Sequence, residues 1–320
     1  MRILIVGGTS FVGRAIAWSA WREGHEVTVI NRGRTPTDLP EQIERLTGDR
    51  CADLSALAGR NFDATVDSTA YRPSDVETLF AALADRGGHH LQISSVSAYT
   101  EPEWPGATEA TATLWSEDGL DLATPITGES YGPLKAASER AAQRCFGERV
   151  TLVRPTYVIG SHDATLRFPY WVQRARRGGI IAVPGPRDSF LQYVDARDLA
   201  DFVVRLVDHA EFGAFHVAGP YPADSLFMMM ERIAAHVTPE AIVREVPAQR
   251  VLDAGFEDKF PLWSGPTNAN ASCVDNSLAG EHGLALRSLE ESVDDVLAWW
   301  GDREWPDHWL TAHEETELLH

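Results

Sequence analysis

The sequence predicts an α/β fold, a doubly wound parallel sheet with a smaller C-terminal domain, and three observations carry that expectation. Short apolar β runs alternate with amphipathic segments of helix length through the first 155 residues, the pattern of βαβ units. A glycine-rich turn, Gly7-Gly8-Thr9-Ser10-Phe11-Val12-Gly13, follows the first run and opens the first helix. The composition is that of an ordinary globular chain, 44% hydrophobic and 23% charged, which excludes disordered, collagen-like and coiled-coil architectures.

Arg2–Val6 reads as the first strand, and Phe11, Ala15, Ile16 and Trp18 stripe the helix after it. Glu26–Ile30 is the next clear strand, closed by Asn31-Arg32-Gly33. Ala64–Asp67 reads as a strand, Ser74–Asp85 as a helix entered through Pro73, and Leu91–Ser94 as a strand. Helical periodicity covers Tyr131–Phe146, and Thr151–Arg154 returns to the sheet. Beyond residue 155 the alternation weakens. Tyr193–Val207 reads as a turn plus helix and Ala214–Val217 as a further strand, followed by helices over Ser225–His236 and Leu289–Trp300. Residues 301–320 fit a packed tail and a frayed end equally well.

The 320 residues hold 28 basic and 47 acidic side chains, a formal charge of −19, and just two of the basic residues, Lys135 and Lys259, are lysines. So acidic a surface argues against nucleic acid and membranes as partners but leaves room for a small anion held by local arginines. No apolar run approaches a membrane span. Cys51, Cys145 and Cys273 show no metal-like spacing, which points to a reducing, cytoplasmic setting. His162, Asp163 and the tail histidines His308, His313 and His320 likewise lack ligand spacing and read as isolated surface groups, so no metal is expected. The Met228-Met229-Met230 run reads as core packing, and Trp171 and Trp263 as buried rather than pocket-lining.

Several short stretches carry chemistry. The turn from Gly7 to Gly13 suits a backbone that approaches a pyrophosphate, with helix amides facing the charge. Where an NAD-binding fold places an acid for the ribose 2′-hydroxyl, this chain has Asn31-Arg32-Gly33-Arg34, which favours NADP, with NAD as the alternative. Tyr131 and Lys135, four residues apart, share a helix face, and Pro133 between them suits a first helical turn. With 7 Tyr and so few Lys, that spacing arises by chance about 0.04 times in such a chain. A nearby ammonium is expected to lower the phenol's pKa. Leu91–Ser94 ends in a run of hydroxyls, Ser94, Ser95 and Ser97, at a strand's carboxyl end, where ligands bind open parallel sheets.

Taken together, these motifs resemble the extended or atypical short-chain dehydrogenase/reductases, the NAD(P)-dependent epimerase/dehydratase group. The matching residues are Gly7-Gly8-Thr9-x-Phe11-x-Gly13, Gly48-Asp49-Arg50, Ser94-Ser95-x-x-x-Tyr99, Tyr131-x-x-x-Lys135, Arg154-Pro155 and Tyr193-Val194-Asp195-x-Arg197-Asp198. The resemblance implies a Rossmann-type domain over residues 1–158 plus about 191–218, and a substrate domain over about 159–190 plus 219–320. It implies that Ser95, Tyr131 and Lys135 are catalytic, Tyr131 as acid–base and Lys135 on the ribose. It places Gly7, Thr9, Ser10, Phe11, Val12, Gly13, Asn31, Arg32, Arg34, Ser68, Thr69, Ala70, Lys135 and Pro155 around the cofactor, with Asp49 and Arg50 near the adenine.

Departures narrow the chemistry. Val96 and Ser97 follow Ser95 where sugar dehydratases carry Asp-Glu, and Tyr157 stands where nucleotide-sugar members often carry Asn. The expected activity is NADPH-dependent reduction of a small carbonyl substrate. Alternatives are a sugar or nucleotide-sugar epimerase with tightly bound NAD, or a nucleotide-sensing or RNA-binding protein on the same fold. Substrate identity and oligomeric state are not legible.

Overall fold

The computed structural model describes residues 1–100, 106–266, 273–303, 305 and 309–320. Among them the strands are β1 (Arg2–Val6), β2 (Glu26–Asn31), β3 (Glu44–Thr47), β4 (Ala64–Asp67), β5 (His89–Ile93), β6 (Val150–Pro155), β7 (Tyr157–Ile159), β8 (Ile180–Pro184), β9 (Tyr193–Asp195), β10 (Gly213–Val217) and β11 (Ile242–Val246). The helices are α1 (Phe11–Arg22), α2 (Pro73–Leu83), α3 (Gly128–Phe146), α4 (Arg167–Arg176), α5 (Ala196–Asp208), α6 (Leu226–Val237), α7 (Ala248–Asp253), α8 (Ser277–Glu281), α9 (Leu289–Trp300) and α10 (Ala312–Leu319).

Seven strands form one parallel sheet in the order β10-β6-β5-β4-β1-β2-β3. The chain starts in the middle, walks out through β2 and β3, then returns to the other side of β1 with β4. That reversal leaves a crevice above the carboxyl ends of β1 and β4, where open α/β sheets bind ligands. All residues of β5 and β6 are buried, as a sheet covered on both faces requires. On one face α1 packs against α5, and on the other α2 packs against α3.

A second core gathers Phe168, Trp171, Met229, Met230 and Val293 from α4, α6 and α9, beside the parallel pair β8–β11. Trp171 is fully buried and its indole N–H donates to the Pro261 carbonyl at 2.8 Å. The tail is a packed helix, because the Glu315 carboxylate of α10 takes the buried Arg174 guanidinium of α4 at 2.7 Å. Leu278, Ala279 and Leu284, although they lie late in the chain, pack into the first core under the sheet.

Three local expectations are corrected. Met228 is 48% exposed while its two neighbours are buried, since three consecutive residues of a helix cannot share one face. His162 is not an isolated surface group: its ring lies 5.1 Å from that of Trp299, and Asp163 beside it is buried. Pro133 is not in the first turn. Thr127 caps α3 by accepting from the Ser130 amide at 3.3 Å, so the helix starts at Gly128 and Pro133 falls in its second turn, where it leaves the Glu129 carbonyl without its i+4 donor. His308 lies outside the described residues. Among the described residues no helix is long and apolar enough to cross a membrane.

Candidate active site

The turn after β1 is built by contacts that leave no room for side chains. A Cβ on Gly13 would overlap the Gly7 carbonyl oxygen, and Gly7 itself holds φ +88°. This close approach lets α1 begin directly at the strand end. Ser10 caps α1 without a side-chain hydrogen bond, so the first amides of the helix remain open to an anion. Thr9 is buried, Ser10 exposed, and Phe11 and Val12 half-buried. Ser68 supports the turn from beneath, its hydroxyl donating to the Val6 carbonyl at 2.8 Å.

At the end of β2, the Asn31 amide oxygen accepts from the Gly33 amide at 2.7 Å, so this side chain is spent on its own turn. Arg32 and Arg34 are exposed there and make no ion pair among the described residues. Asp49 likewise closes its own turn, accepting from the Cys51 amide. Arg50 turns inward: its guanidinium donates to both Asp67 oxygens at 2.9 and 3.0 Å and to Thr69 at 3.1 Å. Asp67 is fully buried at the end of β4. Burial pushes its carboxyl up, but the charge and hydrogen bonds of Arg50 outweigh this and hold it below the usual carboxylate range.

Tyr131 and Lys135 project from α3 toward the ends of β4 and β5. The Lys135 ammonium donates to the Ala70 carbonyl at 2.8 Å and the Ile93 carbonyl at 2.9 Å, which leaves its third donor for a ligand. Burial lowers Lys135 to about 8, against the upward pull of Asp67, Glu139 and Asp75. Ser95, just past β5, is extended at φ −165° and its hydroxyl accepts from the Ser97 amide at 3.1 Å. That hydroxyl also acts on the Tyr131 phenol, favouring its ionised form. Gly132 lets α3 lie close against the loop after Ser95, because a Cβ there would overlap the Ser97 carbonyl oxygen. Pro155 closes β6 nearby and is buried.

The phenol's acidity runs opposite to expectation. Burial raises Tyr131 above its usual 10, Tyr71 adds to the rise, and the Ser95 hydroxyl and the charge of Arg167 pull it back in part. The ammonium of Lys135 is committed to two carbonyls and stands 5.9 Å from the Tyr131 ring centroid, so it does not set the phenol's protonation.

Two groups of neighbours surround these residues. Tyr71 follows β4 and lies 6.2 Å from Tyr131, ring to ring, with the Lys135 ammonium 4.7 Å above its face. Behind the site, the Arg154 guanidinium donates to the Glu139 carboxylate at 2.9 and 2.6 Å and to the Tyr99 hydroxyl at 2.6 Å. Tyr99 in turn meets His216 Nε2 at 2.6 Å, while Nδ1 faces the Asp275 carbonyl at 2.8 Å. A carbonyl can only accept, so Nδ1 carries the proton and Nε2 accepts from Tyr99. Burial lowers the His216 pKa and favours this neutral form. The chain of bonds joins α3, β6, β10 and the loop that holds Ser95. The motif residues Arg154 and Tyr99 gave a signal in the sequence, whereas Glu139 and His216 gave none. Among the described residues no three His, Cys, Asp or Glu side chains cluster as a metal ion would need.

Comparison with known proteins bears on the fold and the family. The profile of the NAD dependent epimerase/dehydratase family matches residues 3–218. The chloroplast stem-loop binding protein of 41 kDa b from Arabidopsis thaliana is 26% identical over 282 residues, 82% of this chain and 70% of that protein. The 2′-dehydrokanamycin reductase of Streptomyces kanamyceticus is 26% identical over 280 residues, 82% of this chain and 75% of that one. Among solved structures, UDP-N-acetylglucosamine 4-epimerase from Bacillus cereus superposes with a TM-score of 0.69 at 18% identity, covering 97% of this chain and all of that one (100%). With the family profile spanning the whole seven-stranded sheet and the serine, tyrosine and lysine on it, the chain belongs to the NAD(P)-dependent epimerase/dehydratase family, the extended short-chain dehydrogenase/reductases.

Proposed function

We propose that the protein is an NADPH-dependent reductase of a small carbonyl compound, and the observation that carries this reading is the convergence of Ser95, Tyr131 and Lys135 beside the glycine turn. The residues present fit a dinucleotide: open α1 amides for a pyrophosphate, a free Lys135 donor for a ribose hydroxyl, and unpaired Arg32 and Arg34 at the end of β2. When bound, the nicotinamide supplies the hydride. Ser95 holds the carbonyl oxygen, and Tyr131 gives its proton to that oxygen as negative charge develops there. A phenol raised by burial stays protonated at neutral pH, the state needed to donate. In this reading residues 1–158 plus about 191–218 bind the dinucleotide, and about 159–190 plus 219–320 shape the substrate site. Val96 and Ser97 offer no acid for water elimination. NADPH consumption at 340 nm against a panel of ketones and aldehydes tests the proposal. A protein that purifies with stoichiometric NAD and leaves NADPH unconsumed across the panel would be an epimerase instead.

The Arabidopsis relative is named a stem-loop binding protein, which favours nucleic-acid binding as a second reading. The charge of −19 opposes it. Phosphate-driven binding would appear as RNA affinity that falls steeply with salt, and none is expected.

Cofactor choice follows from the two free arginines. The 2′-phosphate of NADPH meets planar guanidinium donors at Arg32 or Arg34, and exposure keeps the gain modest, about tenfold in affinity. NADPH is therefore expected to bind about tenfold tighter than NADH at low salt, and Arg32→Ala to remove most of the gap without weakening NADH. Fluorescence titration of both cofactors measures this, and equal affinities in the unaltered protein would refute it.

The buried lysine predicts a stability profile. Lys135 titrates near 8 when folded and near 10.4 when unfolded, so between those values the unfolded chain binds more protons. Stability then rises with pH across that window; the cost of burying the ammonium is fully present below about pH 8 and is relieved toward about pH 10. Lys135→Met should flatten that slope. Urea unfolding from pH 7.5 to about 10 checks it, and identical slopes in both proteins would contradict it.

A further inference from the structure

Ser95 sits in a turn that is held at both ends against β6. At the near end the Ser94 amide donates to the Val153 carbonyl at 2.7 Å. Within the turn the Ala98 amide donates to the Ser95 carbonyl and the Tyr99 amide to the Val96 carbonyl, both at 3.1 Å. At the far end the Tyr99 hydroxyl accepts from Arg154, the residue after Val153, at 2.6 Å. His216 lies directly beside Arg154 in the β6–β10 register, and its Nε2 stands 2.6 Å from the same hydroxyl. The rest of His216 is equally engaged. Nδ1 meets the Asp275 carbonyl at 2.8 Å, and the backbone amide donates to Glu109 at 2.7 Å. The residue is completely buried, so solvent does not stand in for these partners. The charged groups that face the ring are Glu109, 3.7 Å from Nδ1, together with Asp275 and Arg154. Burial lowers the His216 pKa, Glu109 and Asp275 pull it back in part, and Arg154 adds to the fall.

We propose that His216 is a positioning residue for the reaction: as the neutral Nδ1–H tautomer it accepts the Tyr99 proton and thereby fixes the Ser95 turn against β6. The inference rests on the reading of Ser95 as the partner of the reacting carbonyl. It follows from which groups can donate. Arg154 has donors only, so the Tyr99 oxygen receives its N–H and directs its own proton to Nε2. A further proton on the ring makes Nε2 a donor too, and two donors then face one phenol oxygen. The hydroxyl has to turn its proton away from His216, and an imidazolium stands beside the Arg154 guanidinium. Acid therefore loosens the far end of the Ser95 turn, and it does so below the ordinary histidine value of about 6.5, because the folded ring resists protonation.

The tautomer is read first, by ¹⁵N NMR of histidine-labelled protein, with the His216 signals assigned by their loss in His216→Asn. A neutral Nδ1–H ring is expected at about pH 7.5. Hydrogen exchange of the peptide carrying Ser95–Tyr99, corrected for its intrinsic pH dependence, is then followed down to about pH 5. In the unaltered protein it should accelerate at least about tenfold on the acid side. His216→Gln, whose side-chain oxygen accepts from Tyr99 and does not titrate, should keep the slow rate throughout. His216→Asn is too short to reach Tyr99 and should exchange fast at every pH, yet add nothing in a Tyr99→Phe background. With any substrate from the carbonyl panel, His216→Asn should lower kcat about tenfold or more at an unchanged KM for NADPH, a split that general loss of structure would not give. An Nε2–H tautomer, exchange indifferent to pH in the unaltered protein, or a His216→Asn variant as protected as that protein overturns the proposal. Failure of the reductase reading looks different: no NADPH is consumed, while the tautomer and the exchange rates still decide the role of His216.

Discussion

Tyr131→Phe is expected to lower turnover by at least about 10²-fold while leaving cofactor affinity within about twofold. The substitution removes one oxygen and keeps the ring, so the contacts with Tyr71 and the position over which Lys135 sits survive. Lys135 keeps both of its carbonyl partners, because neither belongs to Tyr131. What disappears is the proton that the buried phenol holds at the reaction centre. Steady-state kinetics with any substrate found in the carbonyl panel, alongside a cofactor titration, separates the two quantities. Full activity in this variant would exclude Tyr131 as the donor.

Glu139→Ala is expected to destabilise the fold by about 3–5 kcal/mol, the usual cost of leaving one member of a buried ion pair alone. The Glu139 side chain is completely buried and that of Arg154 is 6% exposed, so solvent cannot replace the lost partner. Arg154 would remain charged, since burial alone does not deprotonate a guanidinium. The damage should extend to the site, because Glu139 lies on α3 four residues beyond Lys135 and the same arginine holds Tyr99 in the loop after Ser95. Glu139→Gln should lose less, keeping hydrogen bonds without the charge. The urea midpoint at constant slope reads the effect, and a loss below about 1 kcal/mol would show the pair to be dispensable.

Much of the architecture was legible because it is written locally. The glycine turn lies within one βα unit, and the tyrosine and lysine lie within one helical turn of each other, so their relation needed no knowledge of the fold. The substrate side was harder to read. The β8–β11 pair joins Ile180 to Ile242, and nothing in either segment names the other. Tyr71 and Asp67 acquire meaning only when the sheet brings separate strand ends to one edge. The start of α3 was misplaced because Pro133 was weighed above the Thr127–Ser130 cap, which fixes the helix end more directly. The direction of the Tyr131 shift was misjudged for another reason: a sequence shows which charge is nearby but not how much water has been removed.

The strand order also governs how the chain reaches this state. β1 must wait for β4, with Ile3 paired to Ala64, and β6 must wait for β10, with Thr151 paired to Gly213. Both closures span about sixty residues, and loops of that length are entropically costly to close before contacts repay them. During synthesis β6 therefore emerges well ahead of its outer neighbour. Until residues 213–217 arrive, a strand with all six residues destined for burial is the open edge of the sheet, a template for pairing with another nascent chain. Slow, aggregation-prone refolding is the consequence, and fragments that end between α3 and β10 should be insoluble even though they contain the complete Ser95, Tyr131 and Lys135 set.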